Sequence, residues 1–297
     1  MKNKNFFYRF IFFLALGIFV LIGIIFLSEK DGFGYKYQSL IDYQISKIKN
    51  FDDDTEVLFL GDSSMGYAIS SQEWEKITGK KTLNLALIGD YQFSGVRALF
   101  DMIPKKKIKN IYIIANLDSW RIKSSENYYL SLKSEKSIYK NFYKINESLN
   151  LYNFVNILRF YIFDSFKRDK YKISKKYDYI TQGKKIDEEY LNKTKKFSSD
   201  QIIFNKIFDL KKIFSECDNL GLECIYLHGP ILDDFCAKKN IIEFRKNINE
   251  HLKINNIPFF QKNVCIQKNH IGDGFGHVSP DYKFHYTLEY FKYITSK

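Results

Sequence analysis

The sequence predicts an α/β protein whose parallel sheet is covered by helices on both faces. Short apolar runs, each ended by glycine or a polar loop, alternate with longer stretches of helical spacing. The chain has 297 residues, which is enough for one large α/β domain with a sizeable core. Its 45% apolar and 27% charged residues exclude a wholly disordered chain, and four cysteines are too few for a disulfide-built scaffold.

Strand-like and helix-like segments alternate along most of the chain. The predicted strands are short apolar runs at 56–60, 82–88, 110–115, 223–227 and 258–260. The predicted helices lie at 71–80, 94–102, 200–221, 240–254 and 282–294. Strands joined through helices pair in parallel, so we expect a three-layer, doubly wound sheet. In such sheets the functional loops follow the carboxyl ends of the strands.

The amino-terminal region predicts a membrane anchor. Residues 10–27 contain no charged side chain, and as a helix they would span about 27 Å, close to the hydrocarbon core of a bilayer. The alternative is a buried core helix. Lys2, Lys4 and Arg9 precede this stretch without an acidic residue among them. The positive-inside rule therefore predicts that residues 1–9 stay in the cytoplasm.

The rest of the chain would then lie outside the cytoplasmic membrane, in the periplasm or at the cell surface. The apolar run is longer than the core of a typical signal peptide, and Leu-Ser-Glu at 27–29 is not a small-x-small cleavage site. We therefore expect an uncleaved, single-pass anchor. A stalk or first amphipathic helix would follow within 28–54, and the main domain would span 55–297.

The segment 121–200 differs in character from the rest of that domain. It holds 18 Lys or Arg and 10 Asp or Glu, so it carries most of the net charge of +12. It shows no short strand-like runs, and we expect a mostly helical insertion. Apolar residues recur in it at helical spacing: Leu151, Phe154, Val155, Leu158, Ile162 and Phe166. This stripe predicts either the inner face of a cap or a helix that lies on the membrane surface.

The positive charge does not by itself predict nucleic-acid binding. Lys, Asn, Ile, Phe and Tyr are abundant together, and their codons are rich in A and T, so genome composition accounts for the excess of lysine. A location outside the cytoplasm also conflicts with a nucleic-acid partner. The sequence contains no phosphate loop of Walker type and no HExxH motif, so we expect neither a cofactor nor a metal.

Two loops carry side chains suited to acyl-transfer chemistry. Residues 61–64 read Gly-Asp-Ser-Ser and follow the first predicted strand, which places Ser63 at a strand-to-helix turn. Near the carboxyl terminus, Asp273 and His277 share one glycine-rich loop before the last helix. A serine nucleophile needs a base, and the base needs an acid that orients it. The alternative for Ser63 is a helix-capping serine.

These segments resemble the sequence blocks of the SGNH/GDSL hydrolase family, over residues 55–120 and 200–297. The matching blocks are 59–63 (Phe-Leu-Gly-Asp-Ser) for the first, 84–89 (Asn-Leu-Ala-Leu-Ile-Gly) for the second, 115–118 (Ala-Asn-Leu-Asp) for the third and 277–280 (His-Val-Ser-Pro) for the fifth. The resemblance implies a flavodoxin-like SGNH fold with Ser63 as nucleophile, His277 as base and Asp273 as the acid that orients the base.

The resemblance also implies an oxyanion hole. Its donors would be the backbone N–H groups of Ser63 and Gly89, with the side chain of Asn116 as a third. The usual asparagine place of the third block is occupied by Leu117, so either Asn116 serves one position earlier or the hole has fewer donors. The acid and base lie four residues apart rather than the usual three. Either the two glycines between them absorb the extra residue, or another acid orients His277.

An oxidising location would allow the four cysteines to form disulfides. They stand at Cys217, Cys224, Cys236 and Cys265, and three pairings are possible. Their spacing is not that of a zinc site. We expect Cys236 and Cys265 to pair with each other rather than with Cys217, because both lie in loops near the proposed site while Cys217 closes a predicted helix. Buried free thiols are the alternative.

Membrane-anchored proteins of the SGNH fold include the D-alanyl transfer protein of teichoic acid synthesis and alginate-type polysaccharide O-acetylation proteins. They act on cell-envelope polymers, often beside a multi-span membrane acyltransferase. The resemblance therefore implies an extracytoplasmic serine esterase or O-acyltransferase that acts on an acylated envelope glycan. The alternative is an inactive scaffold of the same fold that binds an envelope polymer or the acyltransferase.

Overall fold

A parallel four-stranded sheet in the order β2-β1-β3-β6 forms the centre of the computed structural model. The strands are β1 (Val57–Gly61), β2 (Thr82–Ala86), β3 (Asn110–Ala115), β4 (Ile173–Ser174), β5 (Tyr179–Ile180), β6 (Glu223–His228), β7 (Ile231–Leu232) and β8 (Cys265–Ile266). The helices are α1 (Gln38–Lys49), α2 (Ser63–Ala68), α3 (Ser71–Thr78), α4 (Gln92–Met102), α5 (Ile207–Leu220), α6 (Asp233–Cys236), α7 (Lys239–Ile254) and α8 (Lys283–Thr295).

The structure describes residues 6–17, 38–121, 173–176, 178–180 and 197–296. The chain divides into two compact units, of which one comprises Met1–Ser39 and Lys136–Arg168 and the other comprises Leu40–Glu135 and Asp169–Lys297. In the first unit, residues 6–17 are helical. No helix within the described ranges is long and apolar enough to cross a membrane. Residues 18–27 of the predicted anchor lie outside the described residues.

Helices cover the sheet on both faces, as the sequence predicts. The register of β1, β3 and β6 puts Phe59 and Tyr226 on opposite faces. Phe59 packs edge-on against Trp74 of α3, with ring centroids 4.8 Å apart. Tyr226 meets Phe93 of α4 on the other face, with centroids 6.2 Å apart. The result is a three-layer α/β fold with an apolar sheet buried between two helical layers.

The strand order creates a crevice at one edge of the sheet. The chain leaves β1 to form β2 on one side and then returns to form β3 on the other side of β1. The loops after β1 and β3 therefore run in opposite directions from neighbouring strands. Open α/β sheets bind their ligands at such a reversal point, outside the carboxyl ends of the strands.

The described part of the segment 28–54 packs against the sheet. Leu40 and Ile41 of α1 are buried. The side-chain amide of Gln44 donates to the carbonyl of Ala86 at 2.7 Å, so α1 is tied to the end of β2. Residues 28–37, the first part of the predicted stalk, lie outside the described residues.

Two predicted elements have different bounds in the structure. The helix expected from residue 200 begins at Ile207, because the N–H of Ile203 donates to the carbonyl of Trp120 at 2.8 Å and diverts the backbone from helical bonding. Short 3-10 turns precede the helix. The strand expected at 258–260 is reduced to a single parallel bridge between Phe259 and Tyr226.

Two short strands occur among the described residues of the basic insertion, whereas most of 121–200 lies outside the described residues, so its mostly helical character stays a prediction. β4 and β5 pair as a short antiparallel hairpin. Strands of two residues are too short to produce an alternating apolar pattern, so the sequence gives no sign of them. The apolar stripe at 151–166 lies outside the described residues.

Candidate active site

Ser63 lies where β1 ends and α2 begins. Gly61 approaches β3 so closely that a Cβ atom there would lie 1.9 Å from the carbonyl oxygen of Ile114, so a side chain cannot be accommodated. Asp62 caps α2, and its Oδ1 accepts from the N–H of Ser64 at 2.9 Å and from its hydroxyl at 2.6 Å. As the first residue of the helix, Ser63 keeps a backbone N–H without an intrahelical acceptor.

His277 and Asp273 meet Ser63 from the last loop of the chain. Nε2 of His277 lies 2.9 Å from Oγ of Ser63, and Nδ1 lies 2.8 Å from Oδ1 of Asp273. Because a carboxylate only accepts, Nδ1 carries the hydrogen, and a neutral imidazole then accepts the Ser63 hydroxyl at Nε2. The side chains of His277 and Asp273 are 24% and 18% exposed, so solvent reaches the pair. This geometry allows histidine to take the serine proton.

The loop that carries Asp273 and His277 accommodates their four-residue spacing. The N–H of His277 donates to the carbonyl of Gly274 at 2.8 Å, and the N–H of Gly272 donates to the carbonyl of His277 at 2.7 Å. A Cβ atom on residue 274 would lie 2.7 Å from Nδ1 of His277. Gly274 therefore leaves room for the imidazole to fold back onto Asp273.

Aromatic side chains pack behind the imidazole of His277. Tyr67 of α2 lies against it, with ring centroids 4.5 Å apart. Tyr179 of β5 packs edge-on against Tyr67 at 5.0 Å, and its hydroxyl donates to the carbonyl of Leu87 at 2.8 Å. Gly66 permits this approach, because a Cβ atom there would lie 2.6 Å from the Tyr179 ring. Sequence reasoning missed both tyrosines, since neither belongs to a motif.

Asp62 joins the Ser63 turn to the loop that follows β3. Its Oδ2 accepts from the N–H of Asn116 at 2.8 Å and from the hydroxyl of Ser119 at 2.7 Å. The Asp62 residue is only 5% exposed, and donors from both loops satisfy its carboxylate. Asp62 therefore orients the turn through these contacts.

Asn116 presents its side-chain NH₂ group at the same edge of the sheet. Its Oδ1 accepts from the N–H of Asp118 at 3.1 Å, which fixes the orientation of the amide. Nδ2 has no hydrogen-bond partner among the residues that the structure describes. Gly276 passes so close that a Cβ atom there would lie 2.1 Å from Nδ2. The open donor of Asn116 therefore lies beside the loop that carries His277.

Gly89 follows β2 at this edge. β2 pairs with β1 in parallel as far as Gly61 and Ala86, so the loop after β2 starts beside the Ser63 turn. Gly89 is the first residue of a 3-10 turn, so its N–H has no intrahelical acceptor. Its carbonyl accepts from the side-chain amide of Gln92. The three positions that the family resemblance implies for an oxyanion hole thus all lie at the carboxyl edge of the sheet.

Two other histidines are occupied by different contacts. Nε2 of His228 pairs with Oδ1 of Asn249 at 2.7 Å, and burial lowers the pKa of His228 to about 4. His270 stacks on Tyr282 with ring centroids 3.6 Å apart.

Two disulfides use all four cysteines. Cys236 is bonded to Cys265, as predicted, and Cys217 is bonded to Cys224. The Cys236–Cys265 disulfide joins α6 to β8 beside the last loop. There the N–H of Leu232 donates to the carbonyl of Phe275 at 2.8 Å. A carboxylate oxygen of Asp233 and the sulfurs of Cys236 and Cys265 lie within 4.8 Å of one another, but bonded sulfurs are not thiolate ligands.

None of the protein-family models matches this sequence, and none of the curated proteins matches it. Among solved structures, the chain is similar to a Streptococcus pneumonia protein described as a "putative platelet activating factor", with 10% sequence identity and a TM-score of 0.44. That similarity covers 94% of this chain and 99% of the other chain.

Proposed function

We propose that the protein is a serine esterase or O-acyltransferase of the SGNH/GDSL type. The observation that carries this proposal is the hydrogen-bonded chain from Ser63 through His277 to Asp273, with separations of 2.9 and 2.8 Å. The chain of contacts lies at the reversal point of a three-layer parallel sheet, where such folds bind ligands. The sequence blocks that resemble the family contain Ser63 and His277, and Asp273 lies four residues before the last block.

The first half of the proposed reaction acylates the serine. Oγ of Ser63 attacks the ester carbonyl carbon while its proton passes to Nε2 of His277. Asp273 holds the imidazole through Nδ1 and stabilises the positive charge that forms on it. The carbonyl oxygen becomes negative and accepts from the backbone N–H groups of Ser63 and Gly89 and from the Asn116 amide. The ester C–O bond then breaks, and His277 returns its proton to the departing alcohol.

The second half removes the acyl group from Ser63. Either water or a sugar hydroxyl attacks the acyl-enzyme, and Nε2 of His277 takes the proton of the attacking oxygen. The bond to Oγ breaks, and the proton passes back to Ser63. Attack by water makes the protein an esterase, whereas attack by a sugar hydroxyl makes it an O-acyltransferase.

We propose an acylated glycan of the cell envelope as the substrate. The support is the predicted anchor at 10–27 with its basic flank, which would hold the site at the outer side of the cytoplasmic membrane. Two disulfides suit an oxidising compartment. For the transfer reaction, a multi-span membrane acyltransferase is the proposed partner.

The test is turnover of a small acetyl ester by the full chain in detergent. Ser63→Ala and His277→Ala should each lower kcat about 10⁶-fold, because nucleophile and base act as one unit. Asp273→Asn should lower kcat about 10⁴-fold, because the imidazole loses its fixed orientation. Ser46→Ala removes an exposed serine of α1 and should leave kcat unchanged. Unchanged turnover by Ser63→Ala would overturn the proposed role of Ser63, and a wild-type protein without turnover would favour the scaffold.

A further inference from the structure

Lys206 is a buried lysine between two loops of the candidate site. It ends the 3-10 turn Phe204–Lys206 ahead of α5, and only 1% of its surface is exposed. Its Nζ donates to Oε1 of Gln92 and to the carbonyl oxygen of Ser119. Both acceptors are uncharged. Burial lowers the pKa of Lys206 to about 7, so the site disfavours the ammonium form that these acceptors attract.

One branch of contacts leads from Lys206 to the Gly89 turn. The amide of Gln92 accepts from Lys206 at Oε1, and its Nε2 donates to the carbonyl of Gly89. The Gln92 side chain therefore bridges Nζ of Lys206 and the backbone of the turn. Through this bridge Lys206 reaches one of the proposed oxyanion donors without touching the reacting atoms.

The backbone of Gln92 provides a second, independent observation. Its φ of 52° and ψ of −163° belong to a region that residues other than glycine rarely adopt. Such a conformation persists only where the surroundings fix it at more than one point. Here the two ends of the side-chain amide are held by Lys206 and by Gly89. Strain of this kind is typical of turns that position functional groups.

The other branch leads from Lys206 to the Asn116 turn. The carbonyl of Ser119 accepts from Lys206, and the hydroxyl of Ser119 donates to Oδ2 of Asp62 at 2.7 Å. The same Oδ2 accepts the N–H of Asn116 at 2.8 Å. A single side-chain nitrogen, Nζ of Lys206, therefore joins the loops that follow β2 and β3, and the carboxylate of Asp62 extends the connection to the Ser63 turn.

We propose that Lys206 is a positioning residue for the oxyanion hole, because the hydrogen bonds from its Nζ fix the Gly89 turn relative to the Asn116 turn. This inference rests on the proposed esterase function. Lys206 stabilises the transition state only indirectly, by holding two donors at the separation that the developing oxyanion requires. An apolar residue of similar length would fill the same space but would leave the acceptors of Gln92 and Ser119 without a donor.

The experiment compares kcat and KM for a small acetyl ester in wild type, Lys206→Met, Gln92→Ala and the double variant. Lys206→Met should lower kcat about 100-fold with KM unchanged, because the misplaced donors matter only in the transition state. Gln92→Ala should give a similar loss, and the double variant should lose little more than either single one. A boronic acid that forms a tetrahedral adduct with Ser63 should lose affinity in parallel with kcat.

Lys105→Met is the matched control. Its Nζ pairs with Glu216 at 3.0 Å, and its side chain is 12% exposed, so the variant also removes a largely buried lysine. Lys105 precedes β3 and so lies at the amino edge of the sheet, and its replacement should leave kcat unchanged.

The possible results distinguish the positioning role of Lys206 from the esterase proposal on which it rests. If Lys206→Met is folded and keeps the wild-type kcat and boronic acid affinity, the positioning role is wrong and the esterase proposal stands. If wild type neither turns over the ester nor binds the boronic acid, both proposals are wrong. If thermal unfolding shows that Lys206→Met does not fold, Gln92→Ala gives the same decision, since it removes the bridge and leaves Lys206 in place.

Discussion

The ring of Tyr67 lies against the imidazole of His277, with 4.5 Å between their centroids. Tyr67 follows Ser63 by one turn of α2, and Tyr179 of the insertion packs edge-on against Tyr67. The proposed base is therefore held both by the helix that begins at the proposed nucleophile and by a hairpin from the basic insertion. The basic insertion therefore supplies a buried side chain, Tyr179, to the interior of the candidate site.

Tyr179→Ala should destabilise the protein by about 3–5 kcal/mol, because it removes a fully buried aromatic ring from its contacts with Gly66 and Tyr67. Tyr179→Phe keeps the ring and loses the hydrogen bond to Leu87, so it should cost about 1 kcal/mol. Denaturant unfolding of both variants measures the difference. Wild-type stability of Tyr179→Ala would show that the hairpin does not pack at the site.

Asn116→Ala should raise the barrier of the acylation step by about 2.7–4 kcal/mol, equivalent to a loss of about 10²–10³-fold in kcat, if Nδ2 donates to the oxyanion. KM should remain unchanged, because the donor acts on charge that develops in the transition state. Steady-state kinetics with an acetyl ester measures both constants. An unchanged kcat would mean that backbone N–H groups alone form the hole.

Gly276→Ala tests the same site as Asn116→Ala by displacing the Asn116 amide instead of removing it. The added Cβ would lie 2.1 Å from Nδ2 of Asn116 and 2.9 Å from the carbonyl oxygen of Pro230, so the amide or the loop must move. The kcat of Gly276→Ala should fall, and combining it with Asn116→Ala should cause less than the product of the two losses. Independent, multiplying effects would contradict a shared role at this contact.

The two disulfides should differ in their contributions to stability and to activity. The Cys236–Cys265 bond closes 29 residues of chain and the Cys217–Cys224 bond closes 7. The chain-entropy model gives about 3–4 kcal/mol for the longer loop and about 1 kcal/mol less for the shorter one. Replacing both cysteines of one disulfide at a time by alanine, and measuring denaturant unfolding, checks this order. Only the Cys236→Ala/Cys265→Ala variant, which lies beside the His277 loop, should lose kcat. The reverse order of stabilities would contradict the model.

The protein should become less stable in mildly acidic solution, because His228 binds a proton more readily in the unfolded chain than in the folded state. Burial lowers the pKa of His228 from 6.5 to about 4, so the folded state binds the proton more weakly than the unfolded chain. The neutral form contributes stability that is complete above pH ~6.5 and is lost as the pH falls toward 4, by about 3 kcal/mol in total. His228→Gln should flatten this part of the stability curve. Parallel curves for variant and wild type between pH 6.5 and 4 would contradict the assignment.

The strands that were predicted from the sequence are those that a short stretch of the chain identifies by itself. β1, β2, β3 and β6 are apolar runs ended by glycine or a polar loop, and such runs are recognisable without a partner strand. The paired loops of Ser63 and His277 were predictable because the chemistry restricts which residue types can follow a strand and precede the last helix. The disulfide between Cys236 and Cys265 was predictable from their expected places in the fold.

The features that the sequence did not reveal depend on contacts between distant segments. Tyr179 supports the His277 ring from a hairpin whose strands are two residues long, which is too short for a pattern. Lys206 is one lysine among many, and only its buried position between Gln92 and Ser119 distinguishes it. The unusual φ of Gln92 also has no sign in the sequence, because glycine is the residue expected there.

Covalent labelling with a fluorophosphonate, followed by mass spectrometry of the peptides, tests the central proposal most directly. The probe phosphonylates a serine that an adjacent histidine activates, so one equivalent should attach to Ser63 in wild type. Ser64→Ala is the control, because the neighbouring hydroxyl is fully buried and bound to Asp62, and its loss should leave a labelled Ser63. We expect Ser63→Ala to take up no label and His277→Ala to be labelled far more slowly. A wild-type protein without label, or a Ser63→Ala protein labelled like wild type, would contradict it.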